Sequence, residues 1–248
     1  MNNKVEEFLV LLKHSPSMKN VFNPWRDVDK ENDIGPAAPE VRLRHLRHYI
    51  GARLKKARYL LIGEAIGYQG GHFSGIAMTS ERILLGYKME QGISPRHVLA
   101  DIEPQRTSKP AVMPRGFSEP TATIVWGALL KLGLHPEEFV LWNIFPWHPF
   151  DQKKGILSNR RPSVMELENA TPAIWKFLDL FPGRTIIALG KTSYEKLGSM
   201  GIECYNVRHP ANAGARLFRS QIAGIAGKGT GGRKMRQSER GRASKVIS

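Results

Sequence analysis

The stretch LIGEAIGYQGGHFSGIAMTSER, residues 61–82, starts as an apolar strand and breaks into a loop carrying Gly63, Gly67, Gly70, Gly71 and Gly75. Its strand belongs to the first of four short apolar runs: YLLIG (59–63), FVLWNI (139–144), TIIALG (185–190) and IECYN (202–206). Each has strand length, is bounded by Gly, Pro or charge, and is rich in β-branched or aromatic residues. Between them lie ATIVWGALLKLG, the region around AIWKFLDLF, and TSYEKLG, all with helical character. Strands alternating with helices predict a parallel sheet covered on both faces. The expected fold is a three-layer α/β/α domain with a short, mostly parallel, four-stranded central sheet.

Outward from this core, residues 1–57 read as a helical extension packed on the domain. In VRLRHLRHYIGARLKKA (41–57), Leu43, Leu46, Ile50 and Leu54 fall at helical spacing, and the opposite face is basic. His45 and His48 lie on this basic helix and are expected at the surface. The domain proper spans 58–226. Residues 88–119 show no clear period and are expected to form a partly irregular excursion beside the site. From Gly227 to Ser248 the chain is rich in Gly, Ser, Lys and Arg and has no aromatic residue. Such a composition buries too little surface to offset its ordering entropy, so a disordered basic tail is expected.

The 248 residues carry 37 Lys and Arg against 22 Asp and Glu, a net charge of +15. A surplus of this size favours polyanionic partners, nucleic acid before membrane. The first twenty residues read as an amphipathic helix rather than a signal peptide, and no run is long enough to span a bilayer. One cysteine, Cys204, excludes an internal disulfide and a cysteine-held cluster. It falls in the fourth run and is expected in the core. The histidines show no metal-ligand spacing. A cytoplasmic protein, associated with the nucleoid through DNA binding, without metal or cofactor, is the expectation.

In a parallel sheet, ligands bind beyond the carboxyl ends of the strands. Two phosphate-loop patterns there fail. LGKTS (189–193) lacks its upstream glycine, because Thr185 stands in that place inside a strand. Gly63, Gly67 and Gly70 do not have dinucleotide-loop spacing. What remains is GEAIG…FSGIAMTSE after the first strand, NIFPWHP after the second and RHPANAGARLFR after the fourth.

These three loops, in this order, resemble the uracil-DNA glycosylase superfamily across roughly residues 58–224. Gly63-Glu64-Ala65-Ile66-Gly67 is similar to its first motif, Asn143 to its base-reading asparagine, and His209-Pro210 to its histidine–proline loop. The resemblance implies hydrolysis of the N-glycosidic bond of uracil in single- or double-stranded DNA by base flipping, leaving an abasic site. The alternatives are another deaminated or mismatched base (hypoxanthine, xanthine, thymine), a non-catalytic damaged-DNA binder, or a nucleotide-binding regulatory domain. A monomer with no obligate protein partner is expected.

Residue by residue, Asn143 would donate to uracil O4 and accept from N3–H. His209 would donate to O2 as charge builds on the leaving base, a preorganised donor of the kind whose removal costs about 3–4 kcal/mol of barrier. Gly63, Gly67 and the glycines beyond would let backbone approach the base. The resemblance places a water-orienting aspartate of one branch at Ala65, so Glu64 or Asn143 is left to position water. An aromatic wall of that branch is replaced by Gly67, predicting a roomier pocket unless Tyr68 turns inward. Met78 stands where the family stacks a phenylalanine, with Phe73, Phe145 and Trp147 as other stacking candidates. Arg216 or Leu217 would fill the hole left by the flipped base. Arg208, Arg219 and Lys191 would contact phosphates. The single cysteine separates this chain from the iron–sulfur branches.

Overall fold

A computed structural model describes residues 3–239, with side chains described as far as Gly227. The elements run α1 (Asn3–Lys13), β1 (Val21–Phe22), α2 (Ala38–Arg53), β2 (Tyr59–Ala65), α3 (Gly71–Ser74), α4 (Glu81–Leu84), α5 (Pro95–Val98) and α6 (Pro120–Lys131). There follow β3 (Phe139–Phe145), β4 (His148–Pro149), α7 (Val164–Asn169), α8 (Thr171–Leu180), β5 (Thr185–Leu189), α9 (Lys191–Ser199), β6 (Tyr205–Val207) and α10 (Ala215–Glu239).

The central sheet has the order β3-β2-β5-β6, and every pairing is parallel. Side chains alternate across it. On β3, Phe139 packs against Trp126 of α6 at 5.0 Å between ring centroids, while Trp142 on the other face stacks on Phe177 of α8 at 4.9 Å and meets Phe8 of α1. Helices therefore cover both faces, and all seven residues of β3 are buried. Asn143 shares the parity of Phe139, so it projects on the α6 side of the sheet. In register it is the direct neighbour of Gly63 on β2. This one pairing sets the first strand's motif beside the second strand's asparagine.

The fourth strand, α2 and the C-terminal segment differ from the sequence expectation, while 88–119 is partly irregular as expected. The fourth strand is Tyr205–Val207, not 202–206, and Cys204 precedes it, half-buried against the core. On α2, Arg44, Arg47 and His48 opposite the apolar stripe are partly exposed, but Arg42 and Arg53 share the side of Leu46 and Ile50 and are buried, as is His45, which was expected at the surface. Arg42 is held by Asp33 at 2.7 Å and by the carbonyls of Pro24 and Asp27. Arg53 donates to the carbonyls of Tyr49, His97, Val98 and Phe139, and His45 accepts from the Gln105 N–H. The basic residues thus satisfy polar backbone that the irregular segments bring inside. Within 88–119, a 3₁₀ turn at Met89–Gln91 and α5 are the ordered pieces. Finally, α10 continues to Glu239, so the backbone of 227–239 is helical where composition argued for disorder. Once Phe218 and Ile222 anchor the first turns, each further residue adds one hydrogen bond to an existing nucleus. Residues 240–248 of the expected tail lie outside the described residues.

Candidate active site

The strand ends open into a cleft of about 860 Å³. Its walls come from Gly63–Gly67 at the end of β2 and just beyond, Asn143 on β3, Asn159–Arg161, Gly190–Thr192 at the start of α9, and Arg208–Asn212 after β6, closed by Met78 and the N-terminus of α6.

Asn143 is 2% exposed. Its Nδ2 is shielded from solvent and has no acceptor among the described residues. A buried amide left unpaired costs roughly 1–3 kcal/mol, so its persistence calls for a partner brought from outside. Gly63 makes room for it: a Cβ on Gly63 would lie 2.7 Å from the Asn143 Oδ1 and 3.4 Å from the Met78 sulfur. Met78 itself adopts a left-handed φ of 47°, which carries its thioether over this spot.

His209 is half-buried on the loop after β6. Its Nδ1 accepts the Ala211 N–H at 3.2 Å, so the neutral ring carries its hydrogen on Nε2. Burial lowers the imidazole below its ordinary range, the charge of Glu64 opposes this, and Arg208 reinforces it. The loop is wound tightly. Asn212 and Ala213 both have left-handed φ, and a Cβ on Gly214 would lie 2.1 Å from the His209 carbonyl oxygen. Only glycine fits there.

The five glycines of the opening stretch divide by role. Gly63 and Gly67 line the cleft. Gly70 is packed against the Glu119 carboxyl, and Gly71 against the Ile66 side chain. Gly75, at φ 75°, lies under the backbone of α2, where a Cβ would be 2.5 Å from the Arg42 oxygen. The last two therefore serve close packing rather than approach to a base, which corrects the expectation for them.

Other expected residues are also relocated. Phe73 is fully buried, stacked on Phe117 at 4.1 Å, and it does not face the cleft. Phe145 and Trp147 are core residues in contact with each other. Tyr68 is outside the cleft wall and meets the edge of Phe117, while the Asn159 side chain accepts its N–H at 3.0 Å and occupies the space beside Gly67. Glu64, Ala65, Lys191 and Arg208 do line the cleft. Arg216, Leu217 and Arg219 sit exposed on the first turns of α10, beyond the cleft wall.

Glu119, Asn159 and Arg161 are among the cleft residues that had no sequence reading. Glu119 immediately precedes Pro120 and a helical run, a pattern that resembles an ordinary helix start. Asn159 and Arg161 come from an irregular loop. That loop is pinned by Arg160, which pairs with Glu166 at 2.6 Å, and by His148, whose Nε2 is 2.7 Å from the Ser158 oxygen. His148 in turn meets His72 of α3 at 2.9 Å, tying this loop to the glycine-rich one.

The α/β sheet thus opens at its carboxyl edge into a cleft that brings together the unpaired Asn143 amide, the His209 imidazole and the side chains of Arg161, Lys191 and Arg208. The sequence profile described as the Uracil DNA glycosylase superfamily matches residues 53–223, and the chain belongs to that superfamily. The family supports a DNA glycosylase that acts on DNA. In structure, the chain is similar to wild-type SMUG2 of Pedobacter heparinus, with a TM-score of 0.59 and 13% identity over 93% of this chain and 100% of that one. No curated protein matches it in sequence.

Proposed function

We propose that this protein hydrolyses the N-glycosidic bond of uracil in DNA. The observation that carries the reading is the unpaired Nδ2 of buried Asn143, seated against Gly63 in the cleft that also holds His209. Uracil's O4 and N3–H match one amide hydrogen and one amide oxygen, whereas cytosine presents the reverse pattern. The hydrogen on His209 Nε2 meets the charge that grows on O2 as the bond to the sugar lengthens. A neutral imidazole does this without placing a second cation near the forming sugar cation. Arg161, Lys191 and Arg208 on the rim suit the phosphates on either side of an extruded nucleotide.

A second reading has its own observation. Beside Gly67 stands the Asn159 amide, with no aromatic wall, and the cleft is wide. This favours acceptance of larger bases such as hypoxanthine or xanthine, or of 5-substituted uracils. Oligonucleotides each carrying one such base, incubated with the protein and a chelator, separate the readings by the free base released. Uracil released fastest supports the proposal. Hypoxanthine or xanthine released with uracil left intact moves the specificity to purines. Tight binding without release of any base marks a damaged-DNA binder.

A further inference from the structure

We infer that Glu119 is the proton acceptor of the cleft, taking the proton of the water that attacks the sugar; the inference rests on the glycosidase reading above. The Glu119 Oε2 is shielded from solvent and has no hydrogen-bond donor among the described residues. The ordinary structural use of a carboxylate at this position is not made: Glu119 stands at the N-cap of α6, yet its side chain caps nothing, and the first helical residue is Pro120. Ion pairing does not account for it either. Of the charged groups around the cleft, Arg160 is engaged by Glu166 and Lys191 lies 3.5 Å from Glu195. Arg208 reaches the Asn212 carbonyl, His209 is bonded through Ala211, and neither Glu64 nor Arg161 bonds to Glu119.

The seat of the carboxyl is built in. A Cβ on Gly70 would fall 2.0 Å from Oε2 and 2.8 Å from Cδ, so the glycine-rich loop leaves space at this residue for the carboxyl group. Burial with no compensating charge pushes Glu119 up to about 7. A carboxylate there accepts a proton at neutral pH and returns it to solvent readily. An unpaired carboxyl in such a place costs stability, and this cost is common where chemistry needs a tuned group.

The step balances without another reagent. The bond from the sugar C1′ to the base nitrogen breaks, and its electron pair stays on the base, facing the His209 N–H. The water oxygen bonds to C1′, and the proton it sheds goes to the Glu119 carboxylate and then to solvent.

The test compares wild type, Glu119→Gln and Glu64→Gln on a uracil oligonucleotide between pH 5.5 and 9, reading kcat and KM separately. The wild-type kcat rises along an acid limb centred near 7. Glu119→Gln lowers kcat by roughly 10²-fold or more, leaves KM in place and abolishes the limb. Glu64→Gln keeps the limb. Gly70→Ala, whose added methyl collides with the carboxyl, lowers kcat as well. A Glu119→Gln enzyme with the wild-type limb overturns the assignment, whether or not its rate falls, because a purely structural role would leave the limb in place. If the wild type releases no base from any lesion, the glycosidase reading fails first and this inference falls with it.

Discussion

In the proposed reaction Gly63 and Asn143 are the residues on which the chemistry turns, and the packing of each explains the other. The asparagine sits at the end of a strand because register with β2 puts its amide over the one Cα that has no side chain. Gly63→Ala is therefore expected to keep the fold and lose activity: the added methyl, 2.7 Å from Oδ1, forces the amide out of place. Thermal unfolding within a few degrees of wild type, with base release reduced at least tenfold, is the expected outcome; full activity would show that the amide needs no such seat. That His209 and Asn143 would meet at one cleft was legible from their motifs. Glu119 was not, because a carboxylate before proline and a helical run has a common structural explanation, and only burial reveals that the explanation does not apply. Phe73 was misplaced for a related reason: in a glycine-rich loop an aromatic ring beside the motif can turn into the core as easily as into the pocket, and here Phe117 receives it.

Among the elements, α2 departs most from its sequence pattern. Its apolar residues follow the helical period, but the period cannot say how Arg42 and Arg53, on the same side as Leu46 and Ile50, and neighbouring His45 are enclosed, since their partners are backbone carbonyls and an aspartate from distant segments. Breaking the Arg42–Asp33 pair by Arg42→Ala is expected to cost about 3–5 kcal/mol in urea unfolding, because it leaves a carboxylate buried alone. A loss under 1 kcal/mol would contradict an enclosed pair. His45 adds a pH dependence. Burial lowers it to about 4, against 6.5 in the unfolded chain. Between those values the unfolded chain binds the proton and the folded one refuses it. Stability is thus complete above about 6.5 and falls as pH drops toward 4, at up to about 1.4 kcal/mol per pH unit. His148, lowered to about 3 by burial and by His72, acts in the same direction. Urea midpoints measured from pH 7.5 to 4.5 should decline accordingly, and a flat series would contradict the burial of these rings.

At the scale of the whole molecule, the alternation of strands and helices was legible from four apolar runs, and a parallel sheet followed from it, whereas the order β3-β2-β5-β6 came only from the structure. The short last strand was harder to place because only three residues pair, two of them exposed. Among the described residues no helix is long and apolar enough to cross a membrane. The net charge of +15 is a property of the entire chain, and its expression is electrostatic attraction to DNA. Affinity for an oligonucleotide should fall linearly on a log–log plot against salt, and Arg161→Ala should reduce the magnitude of that slope by about one. An unchanged slope would remove Arg161 from the phosphate contacts. The central claim, that Asn143 and His209 together release uracil from DNA, is tested most directly by alkali cleavage of a labelled oligonucleotide with a single uracil, with cytosine and thymine controls. Scission at uracil alone, reduced roughly 10²–10³-fold in His209→Ala and strongly in Asn143→Ala, is the predicted result. Uracil DNA left intact at high protein concentration, or cleaved equally well by both variants, would contradict it.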